Sequence, residues 1–257
     1  MAGAGSVVFF HAHPDDEAIF TGGTIARLAA AHHRVVLVVA TGGELGEPHE
    51  DALGPAHLAA VRRAETERAA RLLGVARVES LGFHDSGMAG DPSNDAPGSF
   101  WSSDPDEAAR RLADVLSAER ADALVVYDAD GIYGHPDHIQ VHRVGHLAAV
   151  KAGVPTVYEA TVDREYLHFV ETHLVHEAIL TGDLGLVRSH VGTPTVVVTN
   201  TIDVGGVLET KRAALAAHAS QIPETASALL LPQDRFGAVY GWEWYVRHGP
   251  AGPIDDL

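Results

Sequence analysis

Three apolar runs of strand length punctuate the first half of the chain: Ser6–Phe10 (SVVFF), Arg34–Ala40 (RVVLVVA) and Ala123–Tyr127 (ALVVY). They are rich in β-branched residues, as buried strands are. Arg77–Ser80 is a weaker strand and Thr156–Ala160 a further one. Between them lie segments with helical spacing. Glu17–Ala31 repeats through Ala18, Ile25, Leu28 and Ala29, and Ala56–Leu73 stops at Gly74. Pro105–Ala118 opens with Asp104 as N-cap and Pro105 at the first position, and Pro136–Lys151 comes after the ALVVY run. Strand and helix alternate, which predicts an α/β fold with a mainly parallel sheet and helices on both faces. The 257 residues fit a single domain. Past about Asp163 the pattern is less regular: a helix over Glu165–Leu180, a strand over Pro194–Thr199 and a helix over Val207–Ala219 are expected. Phe236–Arg247 is aromatic and fits neither period.

Several functions are disfavoured at once. The chain has no cysteine, so a metal would have to sit on His, Asp or Glu. Its formal charge of −17 repels nucleic acid and anionic lipid, and neither is expected as a partner. No apolar run approaches the roughly 18 residues that span a bilayer, and no basic residue precedes Ser6–Phe10 as in a secretory signal. A soluble, cytoplasmic protein is expected. Gly3-Ala4-Gly5 stands before the first strand, whereas a dinucleotide fingerprint needs its glycines after it. No Gly-x-Ser-x-Gly elbow is present, which disfavours a serine hydrolase.

The first strand runs directly into His11-Ala12-His13-Pro14-Asp15-Asp16-Glu17. Shortly after the ALVVY strand comes Tyr133-Gly134-His135-Pro136-Asp137-His138. Each opens a helix. The carboxyl ends of parallel strands share one edge, so two distant motifs can meet in one crevice. His13 and Asp16 are three apart across a helix start and can aim at one point. With His138 they form two imidazoles and a carboxylate, a catalytic zinc arrangement with an open position. Zinc suits this set, and iron, manganese or cobalt are also accepted. Asp15 can then serve as general base and His135 can protonate a leaving amine. Asp137 can orient that imidazole and raise its pKa, and Tyr133 can donate to an oxyanion.

These residues resemble the PIG-L/LmbE-like deacetylases. His13–Glu17 (HPDDE), Gly22-Gly23-Thr24 and His135–His138 (HPDH) carry the resemblance, which runs from the first strand to about Val150. It returns more weakly in Lys211–Gln221. It implies a Rossmann-like fold and a zinc-dependent hydrolase that removes an N-acyl group, acetyl above all, from an amino sugar or its glycoside. The catalytic motifs then lie within residues 1–150, and residues 151–257 complete the substrate pocket. The resemblance implies metal ligands at His13, Asp16 and His138, a base at Asp15, and a proton donor at His135 supported by Asp137. It places the oxyanion tyrosine at Tyr133. Arg62, in Arg62–Glu65, and Asp85, in His84–Met88, match sugar contacts of the mycothiol branch, where arginine tends to stand in place of His84.

Two rival functions stay open at this point: an amidase that cuts a larger acyl chain, and a metal-binding protein without catalysis. Retention of both Asp15 and His135 speaks against the second, since binding alone needs neither. Among the remaining residues, His168, His173 and His176 read as a solvated helix face. His218 reads as an exposed helical residue or a pocket-rim group. Trp101 sits in the long Gly82–Asp104 loop and could stack on a sugar. Gly22 and Gly23 cost a helix about 1 kcal/mol each, which close packing would explain. The sequence leaves the oligomeric state open.

Overall fold

The computed structural model describes residues 5–46, 54–173, 191–224 and 226–257. β1 (Ser6–His11) is buried along its whole length inside a sheet that has seven strands among the described residues. It pairs in parallel with β2 (Arg34–Thr41) on one side and β4 (Ala123–Tyr127) on the other. β3 (Arg77–Phe83) lies outside β2 and β5 (Thr156–Thr161) outside β4, both parallel. Strands covered on both faces need apolar residues at every position, which is why SVVFF and ALVVY do not alternate. Two later strands, β6 (Asn200–Asp203) and β7 (Trp242–His248), extend the sheet antiparallel, in the order β5-β7-β6. The last third of the chain therefore belongs to the same sheet as the motifs.

The order β3-β2-β1-β4-β5 means that the chain builds outward from β1 and then reverses to its other side. The carboxyl ends of β1 and β4 flank that reversal, where open α/β sheets bind ligands. The expected mainly parallel, Rossmann-like architecture is what the chain adopts. α2 (Gly22–Ala30) and α3 (Pro55–Leu73) pack with the helix Leu208–Ala216, while α4 (Pro105–Glu119) packs on α6 (Pro136–Ala152). α4 starts as its sequence implies, Asp104 accepting from the Asp106 N–H at 3.0 Å with Pro105 next to it. No described helix is long and apolar enough to cross a membrane.

Some elements differ from expectation for physical reasons. The single helix over Glu17–Ala31 is two, α1 (Asp16–Phe20) and α2, broken at Thr21. The Thr21 hydroxyl donates to Glu17 O and lies 2.9 Å from His11 Nε2, so this turn is tied to the end of β1. Pro194–Thr199 is not a strand: Thr195–Val197 is an exposed turn, and pairing with β7 begins only at Asn200. Val207–Ala219 contracts to the helix Leu208–Ala216. Phe236–Arg247 fits no single period because it is half helix (Gln233–Tyr240) and half strand β7. α7 (Arg164–His173) occupies the first part of Glu165–Leu180; residues 174–180, with His176, lie outside the described residues.

The glycine pair has a packing reason. A Cβ at Gly23 would overlap the side chain of Val204, and one at Gly22 would stand 3.3 Å from Glu17 O. Gly23→Ala should therefore cost roughly 1–3 kcal/mol by overpacking. Urea unfolding should show it, and adding Val204→Ala should recover part of the loss. An unchanged midpoint in Gly23→Ala would contradict this packing.

Candidate active site

The first motif leaves β1 and turns into α1 through Asp15, whose φ of 100° is a strained value for a residue with a side chain. Two contacts hold it there. Arg62, buried in α3, donates through Nη2 to Asp15 Oδ2 (3.1 Å) and to Pro14 O, and through Nη1 to Gly43 O (2.7 Å). The Asp15 N–H donates to Glu17 Oε2 at 3.1 Å. The second motif leaves β4, crosses the short turn α5 (Gly131–Gly134) and opens α6 with His135 as its N-cap. Both motifs end in one buried cluster.

Three atoms converge in it. Asp16 Oδ2 lies 3.5 Å from His13 Nδ1 and 3.4 Å from His138 Nε2. These separations exceed the roughly 2.7–3.2 Å of a good N–H···O bond. They match the roughly 3.3 Å expected between two ligands of a tetrahedral ion bound at 2.0–2.1 Å. The charges agree. Burial alone would push the His13 imidazole down, yet Asp137, Asp16 and Asp85 outweigh it and hold it well above its ordinary 6.5. Burial alone would raise Asp16, yet His138 and His13 hold it well below the carboxylate range. A pocket with this many carboxylates calls for a cation. His13, His135 and His138 have ligand-capable atoms that all lie within 4.8 Å of one another, and Asp16 Oδ2 stands beside a nitrogen of the first and the last; His135 Nδ1 is engaged as a helix cap. The residues present are of the kind that fits a divalent ion.

The groups around this triad take partly unexpected places. The Asp137 carboxylate is turned to His13, and its charge raises the His135 pKa only against larger opposing effects. Asp137 Oδ2 faces His13 Nε2 at 3.2 Å and accepts from the Ser86 N–H at 3.0 Å. That leaves His13 Nδ1 for an ion, in the carboxylate–histidine–metal pattern. His135 Nδ1 accepts the Asp137 N–H at 3.1 Å, so the ring proton belongs on Nε2. Burial, then His13 and His138, lower its pKa to about 4, the reverse of the expected rise. Asp15 is pushed up to about 6 by burial, against the pull of Arg62 and with the help of Asp16. The Tyr133 hydroxyl lies 3.4 Å from His138 Nε2, and burial, with Asp16 and Asp15, raises it so that it stays protonated. Arg62 and Asp85 have protein partners in the crevice. Arg62 acts on Asp15, and Asp85 accepts from Leu45 and Gly87 N–H groups while standing 3.5 Å from His13 Nε2.

Other groups of the site carry no signal in the sequence or a misleading one. Tyr127 stacks on His138, ring centroids 4.4 Å apart, and its hydroxyl lies 2.7 Å from His11 Nδ1. His218 is not exposed but fully buried, 2.6 Å from Glu17 Oε1, behind the carboxylate that steadies Asp15. Glu243 on β7 accepts from the Gly23 and Thr24 N–H groups at the start of α2 and pairs with buried Lys211 at 2.6 Å. Carboxylate at a helix N-terminus is favourable, and Glu243 was legible only as an acid inside an aromatic run. Trp101 carries the Arg143 guanidinium on its ring, centroid distance 4.8 Å, so that face is already covered.

With this geometry in view, the similarity to known proteins is informative. The family model of GlcNAc-PI de-N-acetylase (PIG-L) matches residues 8–149, which hold both motifs. The chain is 36% identical to a 1D-myo-inositol 2-acetamido-2-deoxy-alpha-D-glucopyranoside deacetylase of Thermobifida fusca, covering 98% of each chain. It is 39% identical to the enzyme of that name from Salinispora arenicola, over 98% of this chain and 90% of that one. Among solved structures it is similar to N,N'-diacetylchitobiose deacetylase from Pyrococcus horikoshii, with a TM-score of 0.62 and 25% identity. That match covers 96% of this chain and 84% of the other. The chain belongs to the PIG-L de-N-acetylase family. Its class is that of metal-dependent hydrolases that remove N-acyl groups from amino sugars.

Asp137→Asn tests the inner arrangement. It should leave the fold intact but weaken divalent-metal binding by roughly 10–100-fold, the usual effect of losing a carboxylate behind a ligating histidine. Equilibrium dialysis measures this directly, and wild-type affinity would show that Asp137 does not orient His13.

Proposed function

We propose that the chain hydrolyses the acetamide of a 2-acetamido-2-deoxy-glucopyranoside, with a 1D-myo-inositol glycoside as the leading substrate and Zn2+ as the metal. The observation that carries the reading is the pairing of Asp15 and Asp16. One carboxylate sits at ligand distance from two imidazoles, and its neighbour is held off them by Arg62 with its pKa pushed up to about 6. The names of the relatives at 36% and 39% identity support the sugar and the aglycone. His84, where an arginine was expected, does not remove the chain from their company. It is largely exposed and pairs with Glu44 at 2.9 Å.

Bound by His13, Asp16 and His138, a divalent ion would acidify a water and polarise the amide carbonyl. Asp15 takes the proton from that water as the carbonyl carbon is attacked, a role suited to a carboxylate with a pKa near 6. Tyr133 stays protonated and donates to the developing oxyanion. His135, neutral with its proton on Nε2, is a second neutral donor for that charge. The amine must gain a proton to leave. A neutral His135 has no spare proton at neutral pH, whereas Asp15 has just acquired one, so Asp15 delivers it to the nitrogen as the C–N bond breaks. Arg62 positions Asp15, Asp137 positions His13, and Asp85 lines the crevice beside them.

The test is release of free amine and acetate from a panel comprising the inositol glycoside, other N-acetylglucosaminides, free N-acetylglucosamine and non-sugar acetamides. Turnover of the glycosides is expected. Cleavage confined to non-sugar amides would sink the assignment. The pH profile is a further check. Asp15 must be ionised in the resting enzyme, so kcat/KM should fall as pH drops below about 6. Arg62 opposes the rise of the Asp15 pKa, so Arg62→Met should move that acid limb upward by about one unit or more. A limb that stays in place would separate Arg62 from Asp15.

A further inference from the structure

α6 carries more histidines than the site uses. His138 belongs to the crevice, and His142 and His146 come at successive turns, so that both lie on one face of the helix. Beneath them, Glu159 of β5 is 8% exposed. Its Oε1 is approached by three imidazoles: His146 Nε2 at 2.8 Å, His248 Nε2 at 3.0 Å and His142 Nδ1 at 3.4 Å. His248 comes from β7. It is opposite Val157 in the β5–β7 register, so it shares a sheet face with Glu159 two residues on. Ligand-capable atoms of His142, His146 and Glu159 all lie within 4.8 Å of one another. The rings of His142 and His146 are 4.6 Å apart, and those of His146 and His248 5.4 Å.

A solvated surface does not need this arrangement. Glu159 Oε1 is faced by His146 Nε2 and His248 Nε2 at hydrogen-bond distance, while His142 Nδ1 serves Tyr127 O, so three imidazoles gather at one buried carboxylate. Protonating all three rings would crowd three positive charges around one negative charge. A single divalent ion avoids that crowding, because neutral imidazoles and a carboxylate each offer it a lone pair. His142 also has its outer contact in place: Nδ1 lies 3.1 Å from Tyr127 O, so a proton there would donate to the carbonyl and leave Nε2 free. Ligating histidines commonly make such a bond. Burial lowers the His142 pKa, which favours the neutral, ligating ring. Burial would raise Glu159, but His146, His248 and His142 outweigh it and keep it ionised.

We propose that His142, His146, His248 and Glu159 form a second divalent transition-metal site, distinct from the crevice and structural in character. Four protein ligands leave no open position, as in structural rather than catalytic zinc sites. Imidazole donors select zinc-like ions over magnesium or calcium. The site would join α6, β5 and β7, and so tie the antiparallel C-terminal strands to the parallel part of the sheet.

The experiment is a Zn2+ and Co2+ titration of the metal-stripped full chain. About two equivalents should bind to wild type. His146→Gln/His248→Gln should bind about one, and these two partly exposed positions should tolerate the change. Asp16→Ala, which removes the crevice site, should still bind about one equivalent, with the visible bands of four-coordinate cobalt and a raised Tm. Adding His146→Gln/His248→Gln to Asp16→Ala should abolish both signals. Binding of only one equivalent to wild type, unaffected by His146→Gln/His248→Gln, would overturn the proposal. So would an Asp16→Ala chain that is folded by circular dichroism yet binds no metal. Because the readout is metal stoichiometry, failure here leaves the deacetylase reading untouched, and failure of the substrate panel leaves this one untouched.

Discussion

The Asp16 carboxylate is the constraint on which the site depends. It accepts the His13 N–H at 2.8 Å, closing the turn out of β1, and the same oxygen stands at ligand distance from His13 Nδ1 and His138 Nε2. His138 arrives on a helix that begins after β4. Only adjacent, parallel β1 and β4 at the reversal of strand order bring that helix start against the turn. Sheet order, two helix starts and one carboxylate oxygen are therefore parts of a single requirement: imidazoles and an acid must converge where water is scarce. Their burial has a cost, which opposite charges and an ion must offset.

Around this centre the protein gives chemically equal groups unequal tasks. Asp15 and Asp16 are neighbours, but one is drawn down by imidazoles and the other pushed up by burial. The difference arises from the positive φ at Asp15, which turns its carboxylate toward Arg62. His13 and His135 differ in the same way. The carboxylate of Asp137 faces the first, and its backbone N–H caps the second. The C-terminal third supports the arrangement from behind, through His218 on Glu17 and Glu243 on the start of α2.

Much of this was legible in the sequence because it rests on local pattern. Apolar runs without alternation marked the doubly covered strands, and Asp104-Pro105 marked a helix start. His-Pro-Asp motifs, one directly and one shortly after a strand, marked the crevice. The illegible part depends on tertiary contact. Nothing local says that Thr21 binds His11 and splits a helix, or that Val204 fills the space over Gly23. Asp137 was assigned to His135 because it lies two residues away, whereas the capping geometry turns its carboxylate to His13, 124 residues distant in sequence. His218 read as an exposed helical residue or a pocket-rim group because its partner, Glu17, lies 201 residues away. The four-residue spacing of His138, His142 and His146 was visible all along. It acquires meaning only once β5 and β7 place Glu159 and His248 beneath it.

The central claim is that Asp16 binds the ion while Asp15 moves the proton. Metal content and turnover of Asp15→Asn, measured on one preparation, test this most directly. The account predicts near-normal metal content in the crevice and a kcat reduced by about 100-fold or more, the size of a general acid–base contribution. Loss of that metal, with turnover per remaining ion close to wild type, would make Asp15 a ligand and contradict the division of labour between the two carboxylates.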